Sequence, residues 1–267
     1  MQIRDAQPSD RQAVLDFCKE TFSWGDYIAD VWDSWILQGN LIVCVENEIL
    51  IGLCHLVFTD NKQAWLEGIR IHPRYRRKGY GRKIISHCES IANSTTIRMI
   101  IESNNIPSID LTRSMGYEIE DKWWLYALAP KKETSLAVVA SDIKQITELI
   151  SSNTYVDSWK WVSLESSDIE KLIKQKRILA SIKNEHVMAI GIWNESENFA
   201  DVLQLGFING IKEGMIDILR FIQNKAYELH FERIQVFSQE KNILEIESLT
   251  KRSLFYLMRK VLPKKNL

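Results

Sequence analysis

The chain has 267 residues, 34 Lys and Arg against 35 Asp and Glu, and 45% hydrophobic and 10% aromatic residues. That apolar content is enough for packed cores and excludes disorder as the main state. The length suits one large domain or two small ones, and the charge balance gives no support for nucleic acid as a partner. The longest apolar stretch, Ile49 to Phe58, contains His55 and is far short of the ~20 residues of a membrane helix. The N-terminus lacks a signal-peptide core, so a soluble cytoplasmic protein without a membrane partner is expected. The cysteines Cys18, Cys44, Cys54 and Cys88 form no C-x-x-C pair, and the histidines stand apart. Buried thiols and no metal are therefore expected.

In chain order, Ser9 with Gln12 three residues later reads as a capping box opening a helix. A second helix is expected over about Asp26 to Leu37. Strands at Leu41 to Glu46 and Ile49 to Phe58 flank the tight turn Asn47-Glu48, a hairpin signature. A strand from Ala64 to Ile71 leads through His72-Pro73 and a basic, glycine-containing loop into a helix at about Tyr80 to Asn93. A buried strand, Ile97 to Ile101, precedes a helix at about Ile106 to Met115 that ends on Gly116. The segment Tyr117 to Leu128 closes this half. Ala129 to Glu133 reads as a linker.

Beyond the linker the pattern recurs. Ile178 to Ile182, Asn184-Glu185 and Val187 to Trp193 echo the first hairpin. Leu203 to Ile208 echoes Trp65 to Arg70, and Ile234 to Phe237 echoes Ile97 to Ile100, all at an offset between 132 and 139 residues. A shared order at a near-constant offset predicts an internal duplication.

The loop Arg76-Arg77-Lys78-Gly79-Tyr80-Gly81-Arg82 carries the chemistry. Its glycines allow successive N–H groups to converge, and the helix after it adds its positive end. Four cationic side chains surround the same spot, which suits a pyrophosphate. Neither a Walker loop nor a dinucleotide fingerprint is present.

Arg76-x-x-Gly79-x-Gly81, placed between a strand and a helix, resembles the acetyl-CoA loop of the GNAT acyltransferase superfamily. The helix at Asn105 to Tyr117 is similar to that family's N-x-x-A-x-x-L-Y-x-x-x-G-F/Y segment, and the resemblance covers about residues 1–129. It implies an α/β fold with a central mixed sheet flanked by helices. It also implies direct transfer of an acetyl group from acetyl-CoA, as co-substrate, to an amine. Backbone groups of Ile69, Arg70 and Ile71 would pair with the pantetheine, provided the neighbouring strand splays away. The N–H groups from Arg77 to Arg82 would hold the pyrophosphate, and Asn105 would touch the pantetheine from the far side.

Glu67 resembles the glutamate at this strand position in spermidine/spermine acetyltransferases and is the candidate base. Thr112 stands where the family often carries the tyrosine that protonates the leaving thiolate. Tyr117, Tyr126 or water are the alternatives for that step. Thr21 to Ile36 is rich in aromatic and acidic residues, with Trp24 and Tyr27 as candidate acceptor contacts for a small amine. Around Gly25-Asp26-Tyr27 it also looks like the histidine N-acetyltransferase-like branch.

The expected architecture is thus a pair of GNAT-like domains. Residues 1–129 form the catalytic one, and 134–267 a degenerate copy, since Glu213 to Ile218 lacks both the arginines and the G-x-G. The second half would wall the acceptor site, form a homodimer surface or cover a sheet edge. A non-catalytic acetyl-CoA sensor or scaffold and a protein lysine or N-terminal acetyltransferase are the rival readings.

Overall fold

The structure is a computed structural model that describes residues 1–19, 21, 25–59, 63–242 and 244–263. It divides into two compact units, Met1–Glu120 with the segment from Met258 on, and Asp121–Leu257. In the first unit the chain runs β1 (Gln2–Asp5), α1 (Arg11–Cys18), α2 (Ile28–Gln38), β2 (Leu41–Glu46), β3 (Ile49–Phe58), β4 (Ala64–Ile71), α3 (Tyr80–Ile91), β5 (Thr96–Glu102) and α4 (Ile106–Ser114). Strand β6 (Glu118–Leu128) carries it into the second unit.

The first unit's sheet has the order β1-β2-β3-β4-β5. Its neighbours are antiparallel up to β4, and β4 and β5 are parallel. The β2–β3 turn forms because Asn47 (φ 48°) and Glu48 (φ 64°) both take left-handed conformations, which match the twist of the flanking strands. Successive residues of β3 serve opposite faces. Leu53 belongs to the core built by α1 and α2 with Val31, Trp32 and Trp35. Gly52 is where Ile84 of α3 comes closest on the other side.

The start of α1 differs from the expected Ser9–Gln12 box. Asp10 accepts instead from the Gln7 N–H (2.8 Å) and pairs with Arg4. A carboxylate at this end also answers the helix dipole, which Gln12 cannot do.

The second unit continues with β7 (Val138–Val139), α5 (Ile143–Thr147), β8 (Thr154–Asp157), β9 (Lys160–Ser163), α6 (Ser166–Lys174), β10 (Ile178–Lys183), β11 (His186–Glu195), β12 (Val202–Gly210), α7 (Lys212–Glu228), β13 (Arg233–Gln239) and β14 (Thr250–Val261). Its sheet has the order β7-β10-β11-β12-β13-β6. From β7 to β13 this repeats the first unit's order and senses, with β12 and β13 as the parallel pair. Asn184 (φ 51°) and Glu185 (φ 64°) repeat the left-handed turn as well. Helix α7 packs across β10, β11 and β12, with Ile218, Leu219 and Ile222 buried.

The crossings between units fall inside strands and not at the segment Ala129–Glu133. The apolar second half of β6 pairs with β13 from Trp123↔Gln239 to Leu128↔Ile234. The residues just after β6 are tied down in the same unit: Gln223 Nε2 donates to Ala129 O (2.9 Å), and Lys131 N–H to Gln223 O. The end of β14 returns to the first unit. There the Leu262 N–H donates to Thr95 O (2.9 Å), and Lys260 Nζ lies 2.7 Å from Glu89 Oε2.

Candidate active site

Strands β4 and β5 are registered only at Ala64↔Ile97 and Trp65↔Arg98. Beyond Trp65 no further pairs are registered, which is the splay that the resemblance calls for. After His72-Pro73 the chain turns through Arg77 (φ 60°) and Gly79 (φ 81°) into α3. Among the described residues, no backbone N–H from Arg77 to Arg82 has a hydrogen-bond partner. Left-handed residues leading into a helix start aim such groups at a common anion.

The basic side chains divide their work. Arg76 Nε donates to Ile71 O (3.0 Å), and Arg82 Nη2 donates to Ser114 Oγ on α4 (2.6 Å). Both brace the loop. Lys78 lies over the Tyr75 ring, and Arg77 borders a cleft of about 490 Å³ whose far wall is Ile106, Pro107 and Leu111 of α4. Asn105 caps that helix, its Oδ1 accepting from the Ser108 N–H. A side chain at Gly81 would begin 3.1 Å from Leu111 Cδ2, so the loop and α4 are close. The arrangement fits a pyrophosphate at the loop with an arm entering between β4 and β5. The β4 carbonyls are less free than expected: Ile69 O accepts from Arg70 Nη1 and Ile71 O from Arg76.

A bulge in β4 sets the next part of the site. The β3–β4 register shifts between Leu53↔Arg70 and His55↔Glu67, with Gly68 at φ 63° inside the shift. Bulges re-aim the side chains beside them. Glu67 keeps 12% side-chain exposure, and its Oε1 lies 3.0 Å from Nδ1 of His55. The His55 ring is buried, stacks on Trp35 at 4.6 Å, and faces Gly39 O with Nε2 (3.1 Å). In the sequence His55 shows only as an interruption of an apolar run. Its pairing depends on a bulge that shifts the register, which alternation alone does not reveal.

Arg70 points away from the slot. It forms a bidentate pair with Asp26 (2.7 and 3.1 Å) and lies 5.2 Å from the Tyr27 ring centroid. Asp26 therefore has its charge answered within the protein and is not a free anchor for a cationic acceptor. Trp32 and Trp35 are core residues and do not wall a pocket. Tyr27 lies beside this cluster, and Trp24 falls outside the described residues.

For the thiolate proton, Thr112 is a poor candidate, being buried with Oγ1 donating to Ser108 O and Ile109 O. Burial, with Glu89 adjacent, pushes the Tyr117 phenol well above its ordinary range. Tyr126 belongs to the second unit, and its hydroxyl accepts from the Leu244 N–H.

The counterpart of the loop is missing from the second unit. Strand β12 enters α7 through Ile211 alone. Glu213 pairs with Lys183, and Asp217 accepts from Ser135 Oγ, the Leu136 N–H and Ser181 Oγ. Over Gly206 lies the β8–β9 hairpin, where a Cβ would collide with the carbonyl of Val156. A buried amide chain holds this hairpin down. Gln204 Oε1 accepts from the Ser158 N–H, and Gln204 Nε2 donates to Gln235 Oε1, which also accepts from Trp159 Nε1.

All four cysteines are buried free thiols. Among the described residues no group of three His, Cys, Asp or Glu side chains could hold a metal ion. Nor is any helix there long and apolar enough to cross a membrane.

A mixed sheet that splays at a parallel pair, with a glycine-broken basic loop at the next helix start, is the architecture of GNAT acetyltransferases. Residues 11–117 match the acetyltransferase (GNAT) family. It is 23% identical over 132 residues to the peptidyl-lysine N-acetyltransferase YiaC of Escherichia coli (strain K12), covering 46% of this chain and 86% of that one. Over its whole length it is similar in fold to a candidate acetyltransferase from Thermoplasma acidophilum (TM-score 0.68, 17% identity, 98% of this chain and 100% of that one). It is also similar in fold to a tandem GNAT protein from the clavulanic acid biosynthesis pathway (TM-score 0.60, 11% identity, 99% and 100%).

Proposed function

We propose that this enzyme transfers the acetyl group of acetyl-CoA to a primary amine of a small molecule, in one step within a ternary complex. The observation that carries the reading is the run of unpartnered N–H groups from Arg77 to Arg82 beside the slot where β4 and β5 part. The N–H groups bind the pyrophosphate, Arg77 and Lys78 add charge, and Gly79 and Gly81 let the backbone approach. Ile69, Arg70 and Ile71 of β4 and Asn105 at the cap of α4 flank the arm. Acetyl-CoA supplies the activated thioester. Glu67, at the mouth of the bulge, takes the proton from the acceptor ammonium, directly or through water, so that the neutral amine attacks. Thr112 and Tyr126 have their hydroxyls engaged and Tyr117 is buried, so we assign the thiolate's proton to solvent water.

The second unit, without a loop between β12 and α7, has no donor site and serves the first as a degenerate copy. Tyr27, and by position Trp24, border the acceptor. A lysine side chain of a protein is the second reading for the acceptor, favoured by the likeness to YiaC. The test is release of free thiol from acetyl-CoA by the full chain, with a panel of small primary amines and, separately, lysine-containing peptides. Turnover with small amines supports the first reading, and turnover with peptides alone favours the second. Donor binding without turnover on any amine would reduce the chain to an acetyl-CoA sensor.

A further inference from the structure

We propose that His55 is a positioning residue for this reaction, held as an imidazolium that keeps Glu67 ionised and turned toward the acceptor. This role rests on Glu67 being the base. The two ring nitrogens have different partners. Nε2 faces Gly39 O, a group that only accepts, so Nε2 carries a proton. Nδ1 faces a carboxylate oxygen at 3.0 Å, and with no proton between them two sets of lone pairs would oppose each other. The pair therefore holds a proton there.

The surroundings decide where it resides. The ring of His55 touches a carbonyl, a carboxylate and the face of Trp35, and each of the three favours a cation. Glu67 is mostly enclosed, so the ring N–H is the group that sets the direction of its carboxylate. The imidazolium fixes Oε1, leaving Oε2 to receive the proton from the acceptor.

The other ionisable groups around the pair do not change charge near neutral pH. Asp26 and Arg70 neutralise one another. Burial holds the Tyr27 phenol protonated, and contact with Cys88 together with burial does the same for the Cys54 thiol.

Two measurements on the full chain test this. The first is the ¹H–¹⁵N correlation spectrum of the His55 ring near neutral pH, assigned by loss of the signal in His55→Gln. Both nitrogens should appear protonated in the wild type, and only Nε2 in Glu67→Gln. The second is the pH–rate profile with whichever amine supports turnover. His55→Gln, which keeps a side-chain donor but no charge, should lower kcat roughly 10–100-fold and leave the KM for acetyl-CoA unchanged. Its acid limb should move, because Oε1 of Glu67 then loses the charged N–H donor of the ring. A purely structural role would not move that limb.

If the wild-type ring carries a single N–H that Glu67→Gln leaves unaltered, the pairing is overturned while Glu67 can still be the base. If Glu67→Gln turns over at the wild-type rate, the base assignment fails, and the role of His55 fails with it whatever the spectrum. Should His55→Gln prove unfolded, the wild-type and Glu67→Gln spectra still decide the charge state.

Discussion

Gly68 stands at φ 63°, and a Cβ there would sit 2.5 Å from the Trp35 ring. Two penalties therefore meet in Gly68→Ala: a left-handed backbone forced on an L-residue, and an overpacked contact with an indole that is itself buried. Together they should cost on the order of 2–4 kcal/mol in denaturant unfolding. Gly79→Ala has the same backbone penalty but open space around it, so it should lose only about 1 kcal/mol. Equal losses at the two sites would remove the role given to Trp35. For the chemistry, Glu67→Gln keeps the size of the side chain and removes the proposed base. kcat should fall by about 10²–10⁴ while acetyl-CoA affinity, measured by calorimetry, barely changes. The places of Glu67 in β4 and of the basic loop before α3 are readable in the sequence because motif spacing carries them. Arg70 is not: its backbone position in β4 is legible, but its side chain is claimed by Asp26, a partner 44 positions away.

At the scale of elements, the hairpins and the loop–helix junction arise from local chemistry. Asn-Glu turns, the proline after β4 and Gly79 before α3 each act over a few residues. The return of β14 to the first unit is not local. Thr250–Val261 is studded with Lys251, Arg252, Arg259 and Lys260, and its pairing is set by residues more than a hundred positions back. The β8–β9 hairpin is hidden for the same reason, since its anchors Gln204 and Gln235 lie on other strands. The end of β14 has a measurable consequence. Met258 and Leu262 are buried, and Lys260 is paired with Glu89 and lies over Tyr117. Deleting the chain from Met258 on should destabilise the first unit by roughly 3 kcal/mol or more from the apolar burial alone. Hydrogen exchange would locate the loss at the end of α3 and the start of β5. A truncated chain as stable and as protected there as the full one would mean that this segment contributes nothing to the unit.

Across the whole molecule, the two units share a sheet plan and differ at the connection from strand to helix. Both units share strand order, strand senses, the Asn-Glu turn and a shifted register near an equivalent glycine, Gly68 in one and Gly206 in the other. The units differ in the groups that reach that glycine and in the connection from the strand to the next helix. In the first unit a long loop presents open N–H groups. In the second, β12 meets α7 through one residue, and β12 stays registered with β13 from Val202↔Arg233 to Leu205↔Val236, a longer contact than the two pairs joining β4 to β5. A strand pair that stays closed leaves fewer edge groups for a pantetheine, and Glu213 at the start of α7 sets a negative charge where a pyrophosphate would need a positive field. Calorimetry of the full chain should therefore find one acetyl-CoA per chain. Arg76→Glu should remove that binding altogether, because it frees Ile71 O from the brace that shapes the loop and sets a negative charge beside Arg77 and Lys78. Two equivalent sites, or a residual site in Arg76→Glu with wild-type affinity, would mean that the second unit binds the donor without a loop.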